Sequence, residues 1–461
     1  MRLLDEEEIQ RNRLKNQKKK KNLIIIIILL SILSALIIAF IVYREYNPNK
    51  ITTYINGQEV KNFDSILDLE PDENGKTQIY VPIKDVAEYF GYKSYNGDYT
   101  KKSEEQDKCY VIKEDSEVAM YTAKSNKMYK LNLQNKNNNY EDWELDKKVF
   151  EANGKLYTTI DGIEKGYNVS FNYNERKKRI TIYTMDYLVQ SYAKPFETTP
   201  LKGYEKTEID IENCNNNKAI FNNMLIVNAD GKYGVINVSD NSFVLEPKYD
   251  NIEYVQYSSD FLVQSGKKKG IISKESKTKV NAVYDELTLI DRKNNLYRIK
   301  KDNLYGVIND KDKVIIHPEN SKIGIDINEF SYSGVKNGYI LLDSLIPVEQ
   351  DGKWAFYDTK GKLLTDGFVF DKIGCSVGNS NNVYSLLEIP EYNVVVVGND
   401  NGQYTFMNTK GKYDILPFVF EQIYMKISSG EISYYMKYNN KTYDVPKYLI
   451  QRGVKKIEAE N

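Results

Sequence analysis

The chain has 461 residues, 41% of them hydrophobic, and 64 Lys and Arg nearly balance 65 Asp and Glu for a formal net charge of −1. That length holds two or three domains of the usual size of about 100 to 200 residues, and the near-neutral charge offers no basic surface for nucleic acid. A single histidine, His317, and three distant cysteines, Cys109, Cys214 and Cys375, supply no spacing for a His-based metal site, a Ser-His-Asp triad or a disulfide framework.

Residues 1–22 carry eight Lys or Arg, including Lys18 to Lys21, against the acids Asp5 to Glu8. Residues 23–43 follow without a single charge. At about 1.5 Å per residue a helix of that length crosses the roughly 30 Å core of a bilayer. The stretch is long and ends in Phe40, Ile41, Val42, Tyr43 and Arg44 with no small-x-small cleavage pattern, so the expectation is an uncleaved signal anchor. Basic residues stay on the cytoplasmic side, which predicts a single-pass plasma-membrane protein with the 1–22 tail inside and the bulk of the chain outside. Without the tail the remainder carries about −5, again no partner for DNA or RNA.

In residues 51–187, Ile51 to Ile55 reads as a strand entering an Asn56-Gly57 turn, and a second Asn-Gly at Asn74-Gly75 leads to a strand at 78–81. Pro82 opens a short helix whose Ile83, Val86, Ala87 and Phe90 share one face, with Gly91 at its end. Strands are expected at 108–113 and 117–121. The pattern then recurs: Asn153-Gly154-Lys155-Leu156-Tyr157 echoes 74–80, Ile160 and Ile163 replace Ile83 and Val86, Gly166-Tyr167 replaces Gly91-Tyr92, and 177–183 supplies a closing strand. Two half-repeats predict one α+β domain with internal pseudosymmetry.

This series, VPIKDVAEYFGY between two Asn-Gly turns and then GYNVSFNYNERKKRITIY, resembles the copper amine oxidase N-terminal-like domain, a stalk module of exported bacterial proteins. The second half departs from it, with Thr159 where the pattern has proline and a shortened helix. The resemblance implies no oxidase chemistry and no cofactor. Copper amine oxidases use three histidine ligands and a tyrosine-derived cofactor in a Thr-x-x-Asn-Tyr-Asp/Glu motif, whereas this chain has one histidine and Lys136 three residues before Asn139-Tyr140-Glu141.

Residues 188–224, with Pro195, Pro200 and a polar run, read as a connector with weak strand signals. From 225 to 445 a strand, polar turn, strand unit recurs, and aligning Gly234, Gly270, Gly306, Ala355 and Thr405 gives spacings of 36, 36, 49 and 50. Three residues later stand Asn237, Ser273, Asn309, Asp358 and Asn408. An aromatic-acidic pair follows at Tyr249-Asp250, Tyr284-Asp285, Phe370-Asp371 and Phe420-Glu421. The third unit lacks it, and a rearranged loop is expected around Ser321. A further degenerate hairpin is expected at 432–445, and 446–461 reads as a basic C-terminal tail. Self-similarity of this kind means stacked supersecondary units, either a propeller-like ring or a curved β stack.

The GKYGVIN, LYGVIN and GKWAFYD stretches with their Tyr/Phe-Asp pairs resemble the WG (KWG) repeat of bacterial surface and secreted proteins, although only Trp354 keeps the tryptophan. The aligned Tyr233, Tyr305, Trp354 and Tyr404 have two readings, stacking on sugar rings and packing between repeats, of which packing is favoured. Asp250, Asp285, Asp371 and Glu421 are expected to accept backbone N–H groups in turns, because a glycosidase carboxylate pair is a single constellation and does not recur in every unit. The expected fold class is thus a small α+β domain plus all-β hairpin repeats behind one N-terminal transmembrane helix. The expected function is non-catalytic and cofactor-free: a membrane-anchored binding protein that presents its repeats to cell-wall polymer or a surface protein. The alternatives are a cell-envelope enzyme acting on glycans and the ectodomain of a membrane sensor complex.

Overall fold

The structure is a computed structural model that describes residues 11, 18–22, 26, 31–35, 51–60, 66–67, 78–96, 108–113, 117–132, 140–211, 214–255, 257–330, 337–378, 382–408, 416–428 and 431–457. Among these residues no helix is long and apolar enough to cross a membrane. A span needs about 20 consecutive apolar residues in one helix. The described helical pieces here are 18–22, which is mostly lysine, and 31–35, and the remainder of 23–43 apart from Ile26 lies outside the described residues. The fold class with a transmembrane helix, the signal anchor, and the plasma-membrane placement with a cytoplasmic tail and extracellular bulk are corrected on that finding. Asn74-Gly75, Lys136 and Asn139 also lie outside the described residues. What is described is mostly β, in many small antiparallel sheets.

The chain divides into two compact units, Met1–Asn62 with Asn172–Ile182, and Phe63–Phe171 with Tyr183–Asn461. In the first, Thr52–Ile55 pairs antiparallel with Gln58–Val60 and parallel with Arg179–Thr184. Asn56 and Gly57 both take positive φ, 51° and 81°, as a two-residue hairpin turn requires. The Arg179 guanidinium lies 4.5 Å from the centre of the Tyr54 ring.

The second unit begins with two matching strand-helix pieces. Strand Ile79–Pro82 leads into helix α1, Ile83–Tyr89, and strand Lys155–Thr159 into helix α2, Ile160–Tyr167. Helix α2 has eight residues against seven in α1, so it is not the shorter of the two. Thr159 is its extended N-cap residue, and the Thr159 hydroxyl donates to the Asp146 carboxylate. The two strands pair antiparallel with Val81 opposite Thr158. These residues are also equivalent in the internal repeat, so a local two-fold runs through that pair. A second sheet, Lys93–Asn96, Lys108–Lys113, Glu117–Thr122, Lys127–Asn132 and Tyr140–Glu144, is a five-strand meander.

Residues 185–193 form an amphipathic helix, α3 (Met185–Ala193), where sequence reading placed a connector with strand signals. Among the described residues six small sheets follow. The first three are regular antiparallel meanders: Thr207–Glu208, Met224–Ala229, Lys232–Asn237 and Phe243–Tyr249; then Asn251–Val255, Asp260–Ser265, Lys268–Ile272 and Thr278–Tyr284; then Glu286–Asp291, Leu296–Lys301, Leu304–Asn309 and Val314–Asn320. The fourth holds Lys322–Ile323, Leu345–Gln350 and Lys353–Asp358, and the fifth Lys372–Ile373, Val394–Gly398 and Tyr404–Asn408 with Glu388–Ile389. The sixth holds Val383–Ser385, Gln422–Ser428, Glu431–Tyr438 and Lys441–Asp444. Residues 432–445 thus contain the hairpin of the sixth sheet, and helix α4, Val445–Gln451, follows it.

Apolar side chains alternate along these strands and fill the spaces between successive sheets. Ile226, Val235 and Leu245 of the first meet Ile252, Phe261 and Val263 of the second. Val280 and Tyr284 of the second meet Leu287, Tyr297 and Ile299 of the third. The opposite face of the first sheet, Leu225, Val227 and Ile236, packs on Met185 and Val189 of α3, on Leu201 and on Ile220. A helical segment, not another sheet, closes that face.

The aligned glycines have a steric cause. Gly234, Gly270 and Gly306 sit where the third strand of a regular sheet bulges against the fourth. A Cβ on Gly306 would lie 2.7 Å from the Ile316 carbonyl oxygen and 2.8 Å from the Pro318 nitrogen. Among the described residues the outer side of the fourth sheet is joined only by isolated bridges, Trp354 to Phe370 and Tyr357 to Leu363, and that of the fifth by Tyr404 to Phe420. There the buried Ala355 and Thr405 fit. Gly306→Ala is therefore expected to destabilise the protein by about 1–3 kcal/mol, as overpacking does, read as a lower urea midpoint with an unchanged slope.

Candidate functional site

The recurring acids stand at the corners where one sheet becomes the next. Tyr249 ends the first sheet opposite Tyr233, and Asn251 begins the second opposite Gln264, so Asp250 is the only residue between them. Its N–H donates to the Gln264 carbonyl at 2.8 Å. Its carboxylate accepts from Lys232 Nζ at 2.6 Å and from the Gly266 N–H at 2.6 Å, tying the hairpin of its own sheet to the hairpin of the next. Asp285 repeats this with Lys268 Nζ at 2.8 Å and the Asp302 N–H at 3.3 Å. Asp371 accepts from Lys353 Nζ at 2.6 Å, and Glu421 from the Asn440 N–H at 3.4 Å.

The third unit, without an aromatic-acidic pair, keeps the same corner. Tyr305 faces Asn320, and the Ser321 N–H donates to the Glu349 carbonyl at 2.9 Å. The rearranged loop expected there is replaced by a regular corner, because the backbone bond alone suffices to make it. The Asn320 side chain supports the turn by donating to the Tyr305 and His317 carbonyls. His317 itself is exposed in strand Val314–Asn320.

The polar residue three positions after each glycine organises the opposite turn. Asn309 Oδ1 accepts from the Lys311 and Lys313 N–H groups at 3.0 Å each, Asp358 Oδ1 from Lys360 and Lys362 at 2.9 and 2.8 Å, and Ser273 Oγ from Glu275 and Lys277. These are Asx and Ser/Thr turns.

The four aligned aromatics are not brought together. Tyr233 packs in the cluster between the first and second sheets, Tyr305 between the third and fourth, Trp354 between the fourth and fifth, and Tyr404 between the fifth and sixth. Tyr305 lies under the Arg298 guanidinium, 4.9 Å from its ring centre, and Arg298 also faces Tyr339 at 5.1 Å. Lys322 Nζ lies 5.9 Å from the Trp354 ring centre. Tyr404 shares a hydrogen bond with the buried Cys375 thiol, whose pKa is raised by desolvation against the Ile423 N–H and Tyr404.

A cleft of about 190 Å³ opens beside α1, lined by Lys84, Asp85, Glu88, Asn96, Glu151 and Lys155 with Cys109 at its floor. Asp85 and Lys155 pair across it at 2.8 Å. Sequence reading missed this set, because its members come from separate elements and share no spacing. Burial pushes the Cys109 thiol up to about 12, with Lys84 acting the other way, so at neutral pH it is protonated and a poor nucleophile. Among the described residues no group of three or more His, Cys, Asp or Glu is placed to hold a metal ion.

No family model and no curated protein matches the chain. Among solved structures it is similar to a crystal structure of a eukaryotic initiation factor, at 14% identity and TM-score 0.24, covering 48% of this chain and 58% of that one. It is also similar to Hsv2 of Kluyveromyces lactis at 12% identity, covering 47% and 72% with TM-score 0.19. KlHsv2 with loop 6CD replaced by a Gly-Ser linker matches at 9% identity, covering 77% and 98% with TM-score 0.20. At such scores the fold and its use rest on this chain's own strand pairing.

Two predictions follow from the site. The Lys232 hydrogen bond and the Gly266 N–H hold the Asp250 carboxyl below its ordinary value, and the Lys268 hydrogen bond does the same for Asp285. A carboxyl whose folded pKa is depressed stabilises the fold above its unfolded value of about 3.9 and loses that contribution as pH falls through the folded one. The urea midpoint of the protein is therefore expected to drop below about pH 4, and an Asp250→Asn, Asp285→Asn double variant to show a flatter profile over that window. The Cys109 thiol is expected to resist iodoacetamide at pH 8 in the folded protein and to react once urea unfolds it, measured by mass of the labelled peptide.

Proposed function

We propose that this chain is a non-catalytic binding scaffold whose β-repeat array, WG-like in its sequence, presents a continuous polar surface to an extended polymer of the cell wall or to a protein partner. The observation that carries this reading is the use of the recurring side chains. The acids Asp250, Asp285, Asp371 and Glu421 accept hydrogen bonds at successive corners, and Tyr233, Tyr305, Trp354 and Tyr404 each pack between a different pair of sheets. The motif that repeats is thus spent on joining sheets, and the product of the joining is a repeated surface.

The surface favoured for binding is the rim of hairpin turns, where Asp230-Gly231, Gly266-Lys267, Asp302-Asn303 and Asp351-Gly352 stand exposed. The corner bonds set neighbouring turns side by side, since Asp250 reaches Gly266 and Asp285 reaches Asp302. An extended ligand running along that rim would meet similar groups at each sheet, as solenoid and repeat proteins offer their partners. The test is co-sedimentation of the full chain with isolated cell-wall sacculi, beside a Lys267→Glu, Lys301→Glu variant. Binding weakened at least tenfold in the variant supports the rim. Equal binding by both proteins removes the rim, and no sedimentation of either removes the wall polymer as partner.

A further inference from the structure

Lys130 is a charged residue at a buried position of a strand. It lies on Lys127–Asn132, where the alternation that points Met128 inward also points Lys130 inward, and its side chain is 4% exposed. Burial of an ammonium is costly unless every proton finds an acceptor. Three acceptors surround Nζ: Glu117 Oε1 at 2.7 Å, Asn168 Oδ1 at 3.1 Å and the Lys165 carbonyl at 2.9 Å. The Trp143 ring covers the group, 5.6 Å from Nζ to its centre.

Asn168 is buried as well and caps helix α2 in the left-handed conformation, φ 53°, which fixes where its amide points. Its Nδ2 donates to the same Glu117 oxygen at 3.3 Å. One carboxylate oxygen therefore touches both the amine and the amide nitrogen, while the amide oxygen touches the amine. That brings together the parts an amine needs to displace ammonia from a carboxamide: a nucleophile held 3.1 Å from the carboxamide oxygen, and a base on the nucleophile that is also the acid on the leaving group.

We propose that Lys130 and Asn168 join spontaneously in an intramolecular amide bond, with Glu117 as the general base and acid. Glu117 takes one proton from the Lys130 ammonium, and the freed lone pair forms the Nζ–Cγ bond to Asn168. The carboxyl then protonates Nδ2, the Cγ–Nδ2 bond breaks, and ammonia leaves with its two amide protons and the one delivered. Nζ returns a second proton to Glu117 and keeps one as the new amide N–H. No oxidant or other reactant enters.

Burial acts to raise the Glu117 pKa, but the charges of Lys130 and Lys218 and the Lys130 hydrogen bond outweigh it and leave it below its ordinary value. Glu117 is thereby held as the carboxylate, the form that takes the first proton from Nζ. The product would tie the fourth strand of the five-strand meander to the C-terminus of α2 in place of an ion pair, closing the 131–167 segment into a covalent loop.

The experiment is peptide mapping of the full chain, unfolded and digested after incubation at neutral pH, beside a Glu117→Gln variant whose circular dichroism is checked. One branched peptide containing both Lys130 and Asn168 is expected, lighter than the summed masses of the two separate peptides by one ammonia. That peptide is expected to fall at least tenfold in Glu117→Gln. Separate Lys130 and Asn168 peptides from the folded wild-type protein overturn the bond, whether or not the variant folds. An undiminished branched peptide in a folded Glu117→Gln variant overturns the role of Glu117.

Discussion

The arrangement of the β array depends on a single-residue corner. At Asp250, Asp285, Ser321, Asp371 and Glu421 the backbone passes from one sheet to the next and donates its N–H to the strand that pairs with the one it then enters. Because strand side chains alternate, a corner longer or shorter by one residue would turn the whole apolar set of the following strand towards solvent. The backbone bond fixes the register, and at Asp250 and Asp285 the acid side chain also secures it to the hairpins on both sides. The lysine pairs there are partly exposed and individually weak. Their value lies in selecting one corner geometry.

The repeats were legible because the residues that mark them answer steric and hydrogen-bonding demands that recur. Gly234, Gly270 and Gly306 face a bulged strand, Asn309 and Asp358 nucleate turns, and Tyr249-Asp250 makes a corner. The departures were legible only as departures: Ala355 and Thr405 look like decay of a motif until the outer strands beside them prove to be irregular. Helix α3 was misread because its core positions, Met185, Val189 and Ala193, are few and flanked by β-prone tyrosines.

The candidate sites were less legible than the fold. Lys130, Glu117 and Asn168 come from three elements, and the one local sign was a lysine in the inward phase of KMYKLN. The cleft beside α1 gave none, since Asp85 and Lys155 are 70 positions apart. The local two-fold through Val81 and Thr158 was half visible, as a recurring sequence, while the fact that the equivalent strands pair with each other emerges only from their register.

The helical cover on the first sheet sets where the array begins as a physical object. Leu225, Val227 and Ile236 lie against Met185, Val189, Leu201 and Ile220, so the segment before the first repeat is part of the fold that the repeats need. A fragment cut at the first recognisable hairpin would carry a bare, strand-rich apolar face into water, a template for self-association of the kind that unprotected sheets provide. Sequence periodicity places the boundary at residue 225, whereas solubility places it about forty residues earlier, at the start of α3.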